Sequence, residues 1–124
     1  MPKATADVMS TSKHDLKSLP PDGFVELRRM TYGQSLERRE MLKMTMAASD
    51  DENGSFVGEM AMASAKITQA EFAWCVADHN CEADDGRKLD FNNLVDFKSL
   101  DPRVGSEIER LISDMNNFKE IEGN

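Results

Sequence analysis

Residues 101–118 constrain this chain more than any other stretch, because a start signal, a period and a stop signal coincide there. Asp101 can cap a helix through its carboxylate, and Pro102 suits the first helical position, whose N–H has no intrahelical partner. At about 100° per residue, Val104, Ile108, Leu111, Ile112, Met115 and Phe118 fall within an arc of roughly 120°, the width of a face packed on a core. Glu107, Glu109, Arg110, Ser113 and Asp114 lie outside that arc, and Asn116 and Asn117, both poor helix formers, mark its end. The pattern predicts an amphipathic helix of about four turns on which the second half of the chain assembles.

Three further helices are predicted. Thr31 with Gln34 matches a capping box ahead of residues 36–48 (LERREMLKMTMAA), which are rich in strong helix formers. Thr68 with Glu71 matches another, and Ile67 with Phe72 occupies the positions of a hydrophobic staple, so a helix is expected over residues 67–80. Asn92 or Asn93 can cap a short helix carrying Leu94, Phe97 and Leu100. Residues 24–31 (FVELRRMT) form the best strand candidate, with Val25 and Leu27 alternating against Glu26 and Arg28, and the segment most like a partner for it is residues 55–62 (SFVGEMAM).

The expected fold is therefore mainly α: about four helices, with room for a short N-terminal β-hairpin. Residues 1–22 read as a flexible arm ending in a Pro-Pro-Asp-Gly turn, residues 23–118 as a single mainly helical domain and residues 119–124 as a frayed tail.

Two helices are apolar on two sides. In the first, Met41, Met44 and Ala48 make one stripe and Leu42 and Met46 another; in the second, Phe72, Cys75, Val76 and His79 share one face, and Ala70, Trp74 and Ala77 the opposite one. Such helices are either sandwiched in a core or offer one side to a partner. Six of the nine methionines fall between Met30 and Met62, and unbranched, polarizable thioethers adapt to irregular apolar surfaces. Met41, Met44, Met46, Met60, Met62 and Trp74 are the candidate partner-binding residues, against the plainer reading of methionines as core gap-fillers.

Charge narrows the range of partners. Up to Ala48 the chain has eight of its 15 Lys and Arg against six of its 23 Asp and Glu, leaving seven against seventeen from Ser49 onward, for a net charge of −8. Such a balance argues against sequence-independent nucleic-acid binding, which needs clustered cations to displace counterions. No apolar run approaches the roughly 18–20 residues of a membrane span, and no secretory signal is recognisable, so a cytoplasmic protein with reduced thiols at Cys75 and Cys81 is expected. Residues 50–55 (DDENGS) and 82–87 (EADDGR) are acidic turns, but neither fits a calcium loop, because the required glycine and carboxylate positions do not coincide.

No recognisable catalytic set is present. Cys75 and His79, four apart on the expected helix, could act as thiol and base, or with Cys81 and a nearby Asp as metal ligands; yet no paired CxxC exists and no orienting third group is identifiable. No metal, cofactor or enzymatic activity is therefore expected.

The order CVADHN (residues 75–80), an acidic DDGRKLDF turn (84–91), then LDPRVG (100–105) and a helix closing in LISDMNNF (111–118) resembles the tail assembly chaperones of long-tailed bacteriophages and prophages. The resemblance covers the C-terminal half and, more weakly, VELRRMTYGQ (25–34) with the helix after it. It implies a non-enzymatic, largely helical protein of the host bacterial cytoplasm. Such a protein coats the long apolar tape measure protein, keeps it soluble and helps recruit tail tube subunits, and it could act as a homo-oligomer. Alternatives are a structural virion component, such as a tail or head completion protein, and a small thiol or metal enzyme centred on Cys75 and His79.

Overall fold

The structure, a computed structural model, describes residues 4–7, 9–48 and 56–118, and within them the side chains up to residue 44 and again from residue 64. Three strands, β1 (Ser12–Asp15), β2 (Phe24–Leu27) and β3 (Val76–His79), form one antiparallel sheet in that spatial order. Four helices accompany it among the described residues: α1 (Tyr32–Ala48), α2 (Phe56–Cys75), α3 (Leu94–Lys98) and α4 (Pro102–Asn116).

Helix α4 forms as its signals require. Asp101 accepts the Arg103 N–H at 2.8 Å, Pro102 opens the first turn, and Asn117, in the left-handed region at φ 55°, closes the last. Ile108 and Ile112 are fully buried, with Val104 and Phe118 beside them and Leu111 and Met115 packed at the edge. Their face joins Val25 and Leu27 of the sheet and Phe72 and Cys75 of α2 in one core. Phe72 sits edge-on to the rings of Phe91 and Phe97, with centroids 5.4 and 5.1 Å away, a geometry that aligns ring edge with ring face.

The sheet corrects the expectation of a mainly helical fold. Helix makes up 48% and strand 15%, and a three-stranded sheet contributes its central strand to the core, so the architecture is mixed α/β. Strand β2 exists, but its neighbours are β1 and β3, with Val25 opposite both His14 and His79. The expected partner, residues 55–62, does not pair with it: from Phe56 onward that segment belongs to α2. Helix α2 starts well before Thr68 and ends at Cys75, where the chain passes directly into β3. Thr68 therefore caps nothing, and its hydroxyl donates back to the Ser64 carbonyl at 3.1 Å. Strand β1 lies inside the segment expected to be a flexible arm, and it is tied down. The Leu16 N–H bonds the Gly23 carbonyl, and the Gly23 N–H the Leu19 carbonyl, both at 2.8 Å. A side chain at Gly23 would collide with Leu19.

A carboxylate 90 positions away completes that anchorage. Glu107 of α4, almost fully buried, accepts the Lys17 N–H at 2.9 Å, the Ser18 N–H at 3.0 Å and the Ser18 hydroxyl at 2.6 Å. At the other end of α4, Asn116 Oδ1 accepts the Met30 N–H at 3.0 Å. The helix thus grips the N-terminal hairpin at one end and the exit from β2 at the other. Residues 119–124, expected to fray, and the acidic turn at 50–55 lie outside the described residues.

Candidate interaction surfaces

Helix α1 begins with the predicted capping box. The Gln34 N–H donates to Thr31 Oγ1 at 3.2 Å, while Gln34 Oε1 accepts the Thr31 N–H at 3.0 Å, so two otherwise unpaired donors are satisfied reciprocally. Its principal neighbour is α2. Arg38 and Glu71 join the two helices through a 2.8 Å ion pair whose side chains are 11% and 9% exposed. The Arg38 guanidinium also lies 3.7 Å from the centroid of the Phe118 ring, a cation held over an aromatic face. Since Arg38 is level with Glu71 while Ala48 and Phe56 are the near ends, the helices form an antiparallel hairpin. The Arg38–Glu71–Phe118 contact fixes its base to the body, and α1 runs on past it for ten residues, about 15 Å of helix.

On α1, Tyr32, Leu36, Glu40 and Met44 follow one another at four-residue steps and so form a single ridge. Three of the four are apolar and open to solvent: Tyr32 is 71% exposed, Leu36 43% and Met44 69%. Met41, by contrast, is half-buried, as is Leu42. Of the expected binding residues, Met44 is therefore presented outright and Met41 in part. Trp74 is half-buried and packed against the core, so it too is presented only in part. Met46, Met60 and Met62 lie on the two arms of the same hairpin, but their side chains fall outside the described residues. Tyr32 and Leu36 belong to the exposed set although the methionine pattern alone does not single them out; the four-residue spacing ending at Met44 is the signal that does.

A second feature is an open cleft of about 400 Å³ between the last turn of α2, β3 and residues 88–92. Leu89, Phe91 and Phe72 form its apolar floor, and the exposed methyls of Ala73 and Ala77 its wall. At the rim, the Lys88 ammonium is 2.7 Å from Asp78 Oδ1, which also accepts the His79 N–H at 2.8 Å. Those two contacts, the Lys88 hydrogen bond first, hold the Asp78 carboxyl below its ordinary range.

The thiols and the imidazole do not assemble into a reactive site. Cys75 ends α2 while His79 lies in β3, so the four-residue helical juxtaposition expected of them does not exist. Cys75 is fully buried, and that burial pushes its thiol up to about 12, a rise that the contact from Asn116 Nδ2, 3.8 Å from Sγ, only partly offsets. Burial pushes Cys81 up to about 11. A thiolate, the nucleophilic form, is accordingly scarce at either position. His79 Nδ1 accepts the Cys81 N–H at 3.0 Å, and the ring stacks on Phe91 with centroids 4.1 Å apart. Burial, with the Lys88 charge behind it, holds the imidazole below its usual value. Among the described residues, no three His, Cys, Asp or Glu side chains converge as a metal ion would require. Among them, too, no helix is long and apolar enough to cross a membrane.

Comparison with known families, curated proteins and solved structures finds no match to this chain.

Proposed function

We propose that the chain is a non-enzymatic assembly chaperone of the kind found in long-tailed phages, acting in the host cytoplasm to hold an apolar, helix-rich tape measure protein in solution. The observation that carries this reading is the exposed ridge of Tyr32, Leu36 and Met44 on an α1 that packs chiefly on one neighbour. Isolated apolar residues on a surface need no explanation, but three on one four-residue ridge, interrupted only at Glu40, fit the groove-and-ridge geometry by which helices pack on helices. Glu37, Arg39 and Lys43 flank the ridge, Glu40 lies within it, and these charges keep the free protein soluble. The partner helix would lie along α1 and bury the ridge, with the methionines adapting to its irregular surface. Recruitment of tail tube subunits belongs to the same reading.

Co-expression with a tape measure protein, followed by size-exclusion chromatography with light scattering, tests it. The partner is expected in the soluble fraction with several copies of this chain bound. The exposed double substitution Leu36→Glu with Met44→Glu should return the partner to the pellet without changing the chain's own thermal unfolding. A partner that stays insoluble with the native chain, or that is held equally well by the double variant, would overturn the proposal; a native chain that instead closes into a ring by itself would point to a virion component.

A further inference from the structure

The cleft beside β3 has features that the α1 ridge does not explain. Its floor is apolar, while Asp78, Asp90 and Lys88 are the charged side chains that line it, and the turn preceding Lys88 in the chain adds Glu82, Asp84 and Asp85 against Arg87. Both cations are already committed. Arg87 makes a two-pronged contact to Asp96 at 2.7 and 2.9 Å, and Lys88 is held by Asp78. Asp90, on the rim, has a carboxylate whose one hydrogen bond comes from the Asn92 N–H at 2.9 Å, which leaves most of its acceptor capacity facing water.

The end of α2 adds a second, independent source of negative potential. Its 20 residues finish at the cleft wall, and no basic residue lies in the last turn to offset the partial charge of the terminal carbonyls. The Cys75 carbonyl is taken by the Arg28 N–H at 2.8 Å. An apolar hollow bordered by unbalanced carboxylates and a helix C-terminus selects a ligand with an apolar body and a cationic neighbour.

We propose that this cleft is a second docking site, distinct from the α1 ridge, and that it takes a basic amphipathic segment of a protein partner. A Leu, Met or Phe side chain of that segment enters between Ala73, Ala77 and Phe91, and an adjacent Lys or Arg meets Asp90 and the end of α2. The proposal does not depend on the ridge, and a different pair of substitutions tests it.

The probe is a short blocked peptide of Leu and Lys in an amphipathic helical pattern, titrated into the isotope-labelled chain and followed by NMR and by fluorescence anisotropy. Amide shifts are expected at Ala73, Ala77 and residues 88–92. Affinity should fall about tenfold with Asp90→Lys, which reverses the rim charge, and similarly with Ala77→Trp, which fills the hollow from an exposed position. The same peptide with Glu in place of Lys should not bind, and Leu36→Glu with Met44→Glu should leave binding unchanged. Equal affinity in the Asp90→Lys and Ala77→Trp variants, shifts confined to α1, or self-association of the chain through the cleft without peptide would overturn the proposal.

Discussion

Replacing Glu107 with alanine should uncouple the N-terminal hairpin from α4, and the expected cost can be worked from the geometry. The carboxylate receives two backbone N–H groups and one hydroxyl within 3.0 Å. Hydrogen bonds to a charged acceptor contribute about 1.5–3 kcal/mol each, but water replaces part of that where Lys17 is exposed and Ser18 half-buried, so a loss of roughly 2–4 kcal/mol is expected. For a chain of this size that corresponds to a fall in Tm of about 6–16 °C. The pH dependence supplies a second check. Burial alone would raise the Glu107 pKa, yet the Ser18 hydroxyl and the Ser18 and Lys17 amides outweigh it and hold the carboxyl below its ordinary value. A folded pKa below the unfolded one stabilises the protein above the unfolded value, about 4.3, and that contribution disappears as pH falls through the folded value. Urea unfolding followed by circular dichroism at pH 7 and again near pH 3 should therefore show a wide gap between native and Glu107→Ala chains that narrows in acid. A gap below about 0.5 kcal/mol at pH 7, within the range of ordinary surface substitutions, would refute the clamp. So would a gap that stays constant down to pH 3.

Asp96 gives a related but separate acid response. Its carboxyl is lowered to about 2, first by the Arg87 hydrogen bonds and then by the Asp90 N–H, so Asp96→Asn should lower the urea midpoint at neutral pH by an amount that fades as pH approaches 2. Both cysteines, buried and raised to about 12 and 11, should react with a disulfide reagent at pH 8 only after denaturant is added; rapid labelling of the native chain would contradict their burial.

The parts of this fold that were legible in sequence are those whose signals are local. The cap, stripe and stop of α4, the Thr31–Gln34 box and the Asn93 cap each depend on residues within a few positions, and each is found as the spacing implies. The two outer strands depend on distant partners. Strand β1 reads Ser-Lys-His-Asp, with no apolar alternation, because an edge strand can take its order from backbone pairing alone. The four residues of β3 continue a helical apolar pattern through Val76 and His79, and the chain leaves the helix there to pair with β2. Thr68 and Glu71 imitate a helix start, but Glu71 is used instead to hold Arg38. Of the candidate surface, Met44 was visible as a methionine in a pattern, whereas Tyr32 and Leu36 share only its four-residue spacing, a signal broken by Glu40 and weighted only by their exposure on α1. The cleft was not visible at all, since it arises where α2, β3 and the acidic turn meet.

The grip of α4 on residues 17 and 18 also sets a timetable. Synthesis runs from the N-terminus, so the hairpin of β1 and β2 leaves the ribosome long before Glu107 exists to receive its amides, and β2 waits for β3 as well. A two-stranded hairpin is marginal by itself, and closing a loop of some 90 residues must precede the contacts that reward it. The nascent chain therefore carries its first strands unsecured until almost all of the domain has been made. Folding becomes a single late event, and truncation before α4 should yield no folded core at all.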